Sequence, residues 1–237
     1  MNKIRVVSWM RVITLSLCQL LQILHQQLFH HYQRLLLILK EMGLNADMSR
    51  EQRDSVIKQI LQDCAQMMMS IVHSPKAFIA SVQGTATAAG CQLVSACDLA
   101  LAAEGVHFCT PGVNIGSFCT TPLVGIGRNL SRKHAMEMAL TGDMFTADDA
   151  IRFGLINHAV PAEQLRDATV ELAGKIASKS AQGIRSGKEA FYRQVDMPIE
   201  EAFRYANEAM LESMTTTDAL EGTQAFFEKR EPSWENA

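Results

Sequence analysis

Seven small residues in a row, Gly84-Thr85-Ala86-Thr87-Ala88-Ala89-Gly90, join an apolar run to a segment with helical spacing. Such residues fill a core poorly, but they let a backbone come close to another group. The segment that follows, from Cys91 to Asp98, carries Leu93, Val94 and Cys97 on one side of a helix. The first peptide N–H groups of a helix have no internal partner and carry the positive end of its dipole. A small-residue turn leading into that end can hold negative charge as it develops on a ligand oxygen. The same turn also reads as a close-packed strand-to-helix corner with no ligand, and these residues leave both readings open.

Other polar side chains lie nearby in sequence. Asn114, Ser117, Cys119, Thr120 and Thr121 can contact a ligand, but none has a base beside it, so a nucleophile is not indicated. Asp98 reads as structural, and His107 and His134 lack spaced partners. The six cysteines, Cys18, Cys64, Cys91, Cys97, Cys109 and Cys119, form no C-x-x-C pair. Reduced, buried thiols are the better reading than zinc, and no metal site is assigned.

Gly84 to Leu93, with Cys97-Asp98 and Ala100, resembles the signature of the enoyl-CoA hydratase/isomerase (crotonase) superfamily. Phe108 to Gly116 resembles that family's next active-site loop. Thr141-Gly142 and Ala147 to Pro161 resemble its later helix-strand step, and Glu221 to Arg230 its last helix. The likeness runs from about Ser49 to the end. It implies an α/β fold: a crotonase-like (ClpP/crotonase) β-β-α spiral with a C-terminal helical region that mediates trimers. It also implies an acyl-CoA thioester as the ligand in fatty-acid metabolism, with coenzyme A entering as part of the substrate and no separate cofactor. A homotrimer or hexamer is the assembly expected.

In the resembled family two backbone N–H groups grip the thioester oxygen. One donor falls on Ala89, where only backbone geometry matters, and Gly90 follows it. The other falls on Leu37, within Leu35-Leu36-Leu37-Ile38, where the family's glycine and aspartate are absent. Family hydratases also place two carboxylates to handle water and its proton. Those positions fall on Gln92 and Gly112. An amide has no usable pKa and glycine has no side chain, so two-carboxylate hydration is not expected. Lys40 resembles the lysine near the adenine end of coenzyme A; Asn114, Phe227 and Lys229 are further binding candidates. A weak or altered hydratase/isomerase and a non-catalytic acyl-CoA binder or regulatory subunit both fit these residues. A defective gene product that lacks part of the first strands also stays open.

The elements that must position these groups follow from spacing. An apolar run at residues 77–82 reads as a buried strand, and residues 99–103 as the next. Ser49 and Gln52 form a capping box before an apolar-faced helix that Pro75 stops. Residues 106–110 and 156–160 read as short strands, and 111–122 as loop and turn. Helices are expected at 132–140, at 147–154 behind Thr146, and over 162–178, 183–194, 198–215 and 218–230. Strands mixed with helices, then helices alone, suggest an α/β core with a helical tail. The domain reading is 1–46 as an atypical segment, 47–180 as spiral core and 181–237 as helical region.

Composition narrows the classes. The chain has 237 residues, is 48% hydrophobic and carries a net charge of −3, with no basic block, so nucleic acid is not an expected partner. Residues 1–40 contain no Asp or Glu but include Lys3, Arg5, Arg11, Arg34 and Lys40. That composition suits a transit peptide or a signal sequence, and the resemblance favours a mitochondrial one. The run at 12–24 is too short for a membrane span. Thr14 to Leu17 looks like the family's first-helix start, whereas residues 17–39 also read as one apolar helix. Codons for His30 to Arg34, read one base later, can encode Ile-Ile-Ile-Ser, a strand of the family's kind. Residues 1–46 are therefore set apart as a frame-shifted, mis-spliced or truly divergent segment.

Overall fold

The computed structural model describes residues 10–14 and 48–235. Strand β1 (Met10–Thr14) leads to helix α1 (Arg50–Val72), strand β2 (Phe78–Val82), the two-residue strand β3 (Ala86–Thr87) and helix α2 (Ala89–Ala96). Strands β4 (Leu99–Ala103) and β5 (His107–Cys109) follow, then a 3-10 turn at Pro111–Ile115 and helices α3 (Pro122–Asn129) and α4 (Arg132–Thr141). Strand β6 (Phe145–Thr146), helix α5 (Ala147–Phe153) and strand β7 (His158–Val160) complete the mixed region. Helices α6 (Leu165–Ala177), α7 (Ala181–Gln194), α8 (Ile199–Met214) and α9 (Thr217–Glu228) end the chain.

The strands sort into two sheets, ordered β1-β2-β4-β7 and β3-β5-β6. Passing along the chain, β2 lies in the first sheet and β3 in the second, and α2 returns the chain to the first at β4. The step repeats from β4 to β5, after which α3 and α4 lead to β6, still in the second sheet, and α5 returns the chain to the first at β7. That repeat is the β-β-α spiral expected from the sequence. Strands β2, β4 and β7 are parallel, while β1 joins β2 antiparallel, pairing Met10 with Val82. All five residues of β2 are buried, which is why it reads as an unbroken apolar run and not an alternating one.

Local chemistry sets the joints. Ser49 and Gln52 exchange cap hydrogen bonds of 3.2 and 3.0 Å, and Thr146 and Asp149 make a full capping box before α5. Gly142 and Gly154 close α4 and α5. Asp98 ties the end of α2 to β2: Phe78 N donates to its carboxylate at 2.7 Å, and Asp98 N donates to the Phe78 carbonyl. Asp98 is thus structural, as its position suggested. Asn157 and Ala100 exchange bonds of 2.8 Å and lock β7 beside β4.

Thr14 lies in strand β1 (Met10–Thr14), and the residues after it, where a helix was expected to open, lie outside the described residues. One expectation changes. The region expected to be loop up to Pro122 gives way to α3, for which Pro122 takes the first helical position, where its missing N–H costs nothing. The helix reading of residues 17–39, the shifted-codon strand, and the candidates Leu37 and Lys40 lie outside the described residues.

Among the described residues, 10–14, 48–72 and 78–169 form one compact unit, and 73–77 with 170–235 form a second. The division falls inside α6, within the stretch read from sequence as spiral core. In the second unit Lys188 Nζ donates to the Lys76 carbonyl at 2.8 Å. Its end is tied by charge: the Arg230 guanidinium bonds the Glu221 carboxylate at 2.6 and 2.9 Å and Glu228 at 2.6 Å. Ser233 N also donates to Glu221, and Trp234 Nε1 donates to the Ser178 carbonyl at 2.8 Å. The Trp234 ring lies where a β-carbon on Gly222 would meet it at 3.1 Å.

Bonding from Arg230, then from Ser233 N, lowers the Glu221 pKa from 4.5 to about 2. A carboxylate with a depressed folded pKa stabilises the fold above its unfolded value, and that contribution is lost as pH falls through the folded one. The tail should therefore loosen between about pH 4.5 and 2. In a Trp9→Phe background Trp234 is the sole tryptophan. Its emission should shift to the red over that window, and Glu221→Gln should show the shifted emission already at neutral pH.

Candidate functional site

The corner between β3 and α2 is built on Ala88. This residue caps α2 with φ 46° and ψ −106°, a conformation normally left to glycine. Holding a non-glycine residue there costs on the order of 1–3 kcal/mol, so its surroundings must enforce it. They do so at both of its peptide groups. Ala88 N donates to the Cys109 carbonyl at 2.9 Å, and the Ala88 carbonyl accepts from Gln92 N at 3.0 Å. The first bond joins the corner to β5, whose pairing with β3 places Thr87 opposite Cys109.

Alanine has no side-chain acceptor, so α2 has no side-chain cap. Among the described residues, the N–H groups of Ala89, Gly90 and Cys91 find no backbone acceptor. Ala88 and Ala89 are half-buried. Gly90 is buried, and a β-carbon there would meet only Ala86 Cβ at 3.6 Å. A helix start whose first N–H groups find no backbone acceptor suits a ligand oxygen that bears partial negative charge.

One turn later Gln92 is buried at 8% exposure. Its Oε1 faces the Cys64 thiol of α1 at 3.6 Å, an S–H···O contact between packed helices. Burial pushes the Cys64 thiol pKa above its ordinary value. Cys91 is pushed up more strongly by burial, and its thiol donates to the Ala86 and Cys109 carbonyls. Cys109 is also raised, by burial first, against a lowering hydrogen bond with Thr87. Thiols so held stay protonated at neutral pH and do not act as nucleophiles. Cys64, Cys91, Cys97, Cys109 and Cys119 are all buried, and none of them is in a disulfide.

Gly112 sits in the 3-10 turn, with the loop folded back over it. A β-carbon at Gly112 would lie 2.9 Å from Cys119 N, 3.0 Å from the Phe118 carbonyl carbon and 3.1 Å from Cys119 Sγ. Ser117 N donates to the Gly112 carbonyl at 2.9 Å and holds the loop there. The place where any side chain would begin is filled by backbone, so this turn has no room for a carboxylate. Thr110, next to it, is fully buried and its hydroxyl has no partner among the described residues.

The remaining candidates are placed as follows. Asn114 is exposed, and its Nδ2 donates to the Gly142 carbonyl at 3.3 Å, which ties the turn to the end of α4. Phe227 and Lys229 belong to the second unit. Phe227 is 77% exposed and, with Phe226, Asp218 and Trp234, lines a shallow cavity of about 420 Å³. Lys229 ends α9 in a left-handed conformation. The spiral therefore brings Ala89, Gly90 and Gln92 together on one helix, with Cys64 facing Gln92. Sequence reading placed Cys64 on the buried face of its helix but gave no sign of its partner. The φ of Ala88 also had no local signal, because alanine rarely adopts it.

A family model described as enoyl-CoA hydratase/isomerase matches residues 43–237. The rat enoyl-CoA hydratase domain-containing protein 3, mitochondrial, is 45% identical over 176 residues, 74% of this chain and 59% of that protein. The chain thus spans about three fifths of the length of this curated relative. The crystal structure of the human enoyl-CoA hydratase domain-containing protein 3 superposes with a TM-score of 0.76 at 41% identity, over 78% of this chain and 74% of that one. An enoyl-CoA hydratase from Mycobacterium smegmatis gives a TM-score of 0.75 at 42% identity, over 81% and 73%.

The close approach at Gly112 makes a direct prediction. Gly112→Ala should cost about 1–3 kcal/mol, the usual penalty for overpacking, because the obstruction is backbone. Urea unfolding checks this. A variant as stable as the parent would show that the 118–119 backbone yields freely.

Proposed function

The chain belongs to the enoyl-CoA hydratase/isomerase family, and we propose that it binds acyl-CoA thioesters of fatty-acid metabolism and polarises their carbonyl without two-carboxylate hydration. The observation that carries this reading is the corner at Ala88, which leaves the Ala89 N–H without a backbone acceptor among the described residues and at the positive end of α2. A thioester oxygen placed there gains a charge-assisted donor as it becomes enolate-like. Coenzyme A arrives with the substrate, and no further cofactor is required. By the family resemblance, Lys40 is proposed to meet its adenine end, and Phe227 and Lys229 on the last helix are further binding candidates.

In family hydratases one carboxylate takes a proton while the other positions or delivers one. Here those positions hold Gln92 and Gly112. Each missing general acid or base forfeits on the order of a hundredfold or more. The filled space at Gly112 favours a second reading, a non-catalytic acyl-CoA binder or regulatory subunit, since no nearby rearrangement of that side chain can supply the group.

Assembly and location extend the proposal. Phe203, Leu211, Phe226 and Phe227, on α8 and α9, are each at least half exposed, an apolar surface that suits a homotrimer or hexamer. No helix among the described residues is long and apolar enough to cross a membrane. A mitochondrial location is supported by the acid-free, Arg-bearing head and by the printed names of the relatives.

Two assays test the proposal. Butyryl-CoA at a hundred times its Kd should stabilise the full chain by about 2.7 kcal/mol, read as a rise in Tm. Hydration of crotonyl-CoA should stay well below about 10 per second, the median for enzymes. No stabilisation by any acyl-CoA overturns the binding reading, and fast hydration overturns the claim about mechanism.

A further inference from the structure

Helix α2 is held at both ends and along one side. Its eight residues make a short rod, and Ser95 stands about 9 Å along the axis from Ala89. The bond from Ala88 N to the Cys109 carbonyl fixes the near end on β5. Asp98, just past the far end, fixes the other on β2 through its two bonds with Phe78. These ties set where the rod begins and stops. The way it rolls and leans is set from the side, by α3.

Gly125 of α3 lies directly against Ser95. A β-carbon on Gly125 would come 2.3 Å from Ser95 Oγ and 3.2 Å from Ser95 Cβ. The two helices thus approach more closely than a side chain at 125 would allow. Asn129, one turn later, spans the contact. Its Nδ2 donates to the Ser95 carbonyl at 3.0 Å and to the Gly125 carbonyl at 2.9 Å, so one amide group ties a carbonyl of each helix. The Ser95 hydroxyl donates to the Gln92 carbonyl at 2.8 Å, which holds it in place within α2. Helix α3 is itself braced. Ile126 is fully buried, and Leu123 N donates to the Cys119 carbonyl at 3.2 Å. Cys119 is the residue whose backbone closes the space beside Gly112. The brace therefore runs from the 3-10 turn through α3 to α2.

We infer that Gly125 and Asn129 are positioning residues for the thioester carbonyl: their clasp on Ser95 sets the direction in which the first N–H groups of α2 point. This inference rests on the acyl-thioester reading of the corner and adds the residues that aim its donor. They act through α2 and not on the ligand itself. Donors at a helix start lie along its axis, so a rod that leans carries them with it. Hydrogen bonds weaken steeply as their angle closes, and a misplacement of about 1 Å removes much of the benefit of a positioned group. A methyl group on Gly125 must displace Ser95 by a distance on the order of 1 Å to reach ordinary contact.

The ¹³C NMR signal of butyryl-CoA labelled at the thioester carbon, with the full chain saturated, reads that aim. A carbonyl carbon held by stronger hydrogen bonds resonates downfield. The signal comes only from folded, occupied protein, so a variant that is merely less stable leaves it in place. In the parent the bound resonance should lie downfield of the free one. Gly125→Ala should lose most of that displacement and bind about three to ten times more weakly, the worth of one hydrogen bond. Adding Ser95→Ala to Gly125→Ala should recover most of both, because the hydroxyl that the new methyl strikes is gone. Asn129 is exposed, so Asn129→Leu spares the core and decides the matter alone if Gly125→Ala does not fold. It should lose displacement in the same direction, by a smaller amount. Bound resonances that coincide in the parent, Gly125→Ala and Asn129→Leu overturn this inference and leave acyl-CoA binding intact. A loss in Gly125→Ala that Ser95→Ala does not repair also overturns it. A parent resonance that stays in place on binding, or no binding at all, overturns the acyl-thioester reading, and this inference with it.

Discussion

The conformation of Ala88 is the constraint on which the site depends. Its φ of 46° turns the chain sharply out of β3 and starts α2 with no side-chain cap. Two hydrogen bonds from its own peptide groups, to Cys109 and from Gln92, hold the turn against its steric cost. Because Cys109 ends β5 and β5 pairs with β3, the second sheet fixes the angle at which the helix leaves. The N–H groups that result are aimed by the fold and not by a ligand. Preorganised donors of this kind need no rearrangement when charge develops in front of them.

The packing around that corner decides what chemistry is left. Helix α1 brings Cys64 against Gln92, and the 3-10 turn brings Cys119 against Gly112. One position becomes an oriented amide and the other is closed by backbone. The thiols nearby are buried and protonated. Among the described residues, the corner offers the peptide hydrogens at the start of α2, and donors stabilise oxygen charge but do not remove protons. The proposed reading, binding and polarisation of a carbonyl without two-carboxylate hydration, builds on that.

The spiral was legible in the sequence where short-range chemistry writes it. The β2 run, the capping box at Ser49, the Thr146 cap and the glycine ends of α4 and α5 all follow from residue types a few positions apart. The helix α3 was not read, because Pro122 looks as much like a turn residue as like a helix start. Of the candidate site, the family resemblance singles out Ala89 and Gln92, and the structure places both on α2. The Cys64 partner could not be picked out, because Cys64 lies 28 positions before Gln92, with β2 and β3 between them. The barrier at Gly112 was equally hidden: the missing side chain is plain in sequence, whereas the backbone that fills its place comes from a fold-back of the loop. Asn114, read as a ligand contact, also ties the turn to the end of α4 through the bond from its Nδ2 to the Gly142 carbonyl, a partner 28 positions away that the sequence does not show.

The carbonyl itself gives the most direct test. Butyryl-CoA labelled with ¹³C at the thioester carbon can be followed by difference infrared spectroscopy, free and bound to the full chain. Hydrogen bonding at the start of α2 should lower the carbonyl stretching frequency on binding, and Ala89→Pro, which removes that N–H, should abolish most of the shift. A bound thioester whose carbonyl band matches that of the free ligand in water would contradict the account.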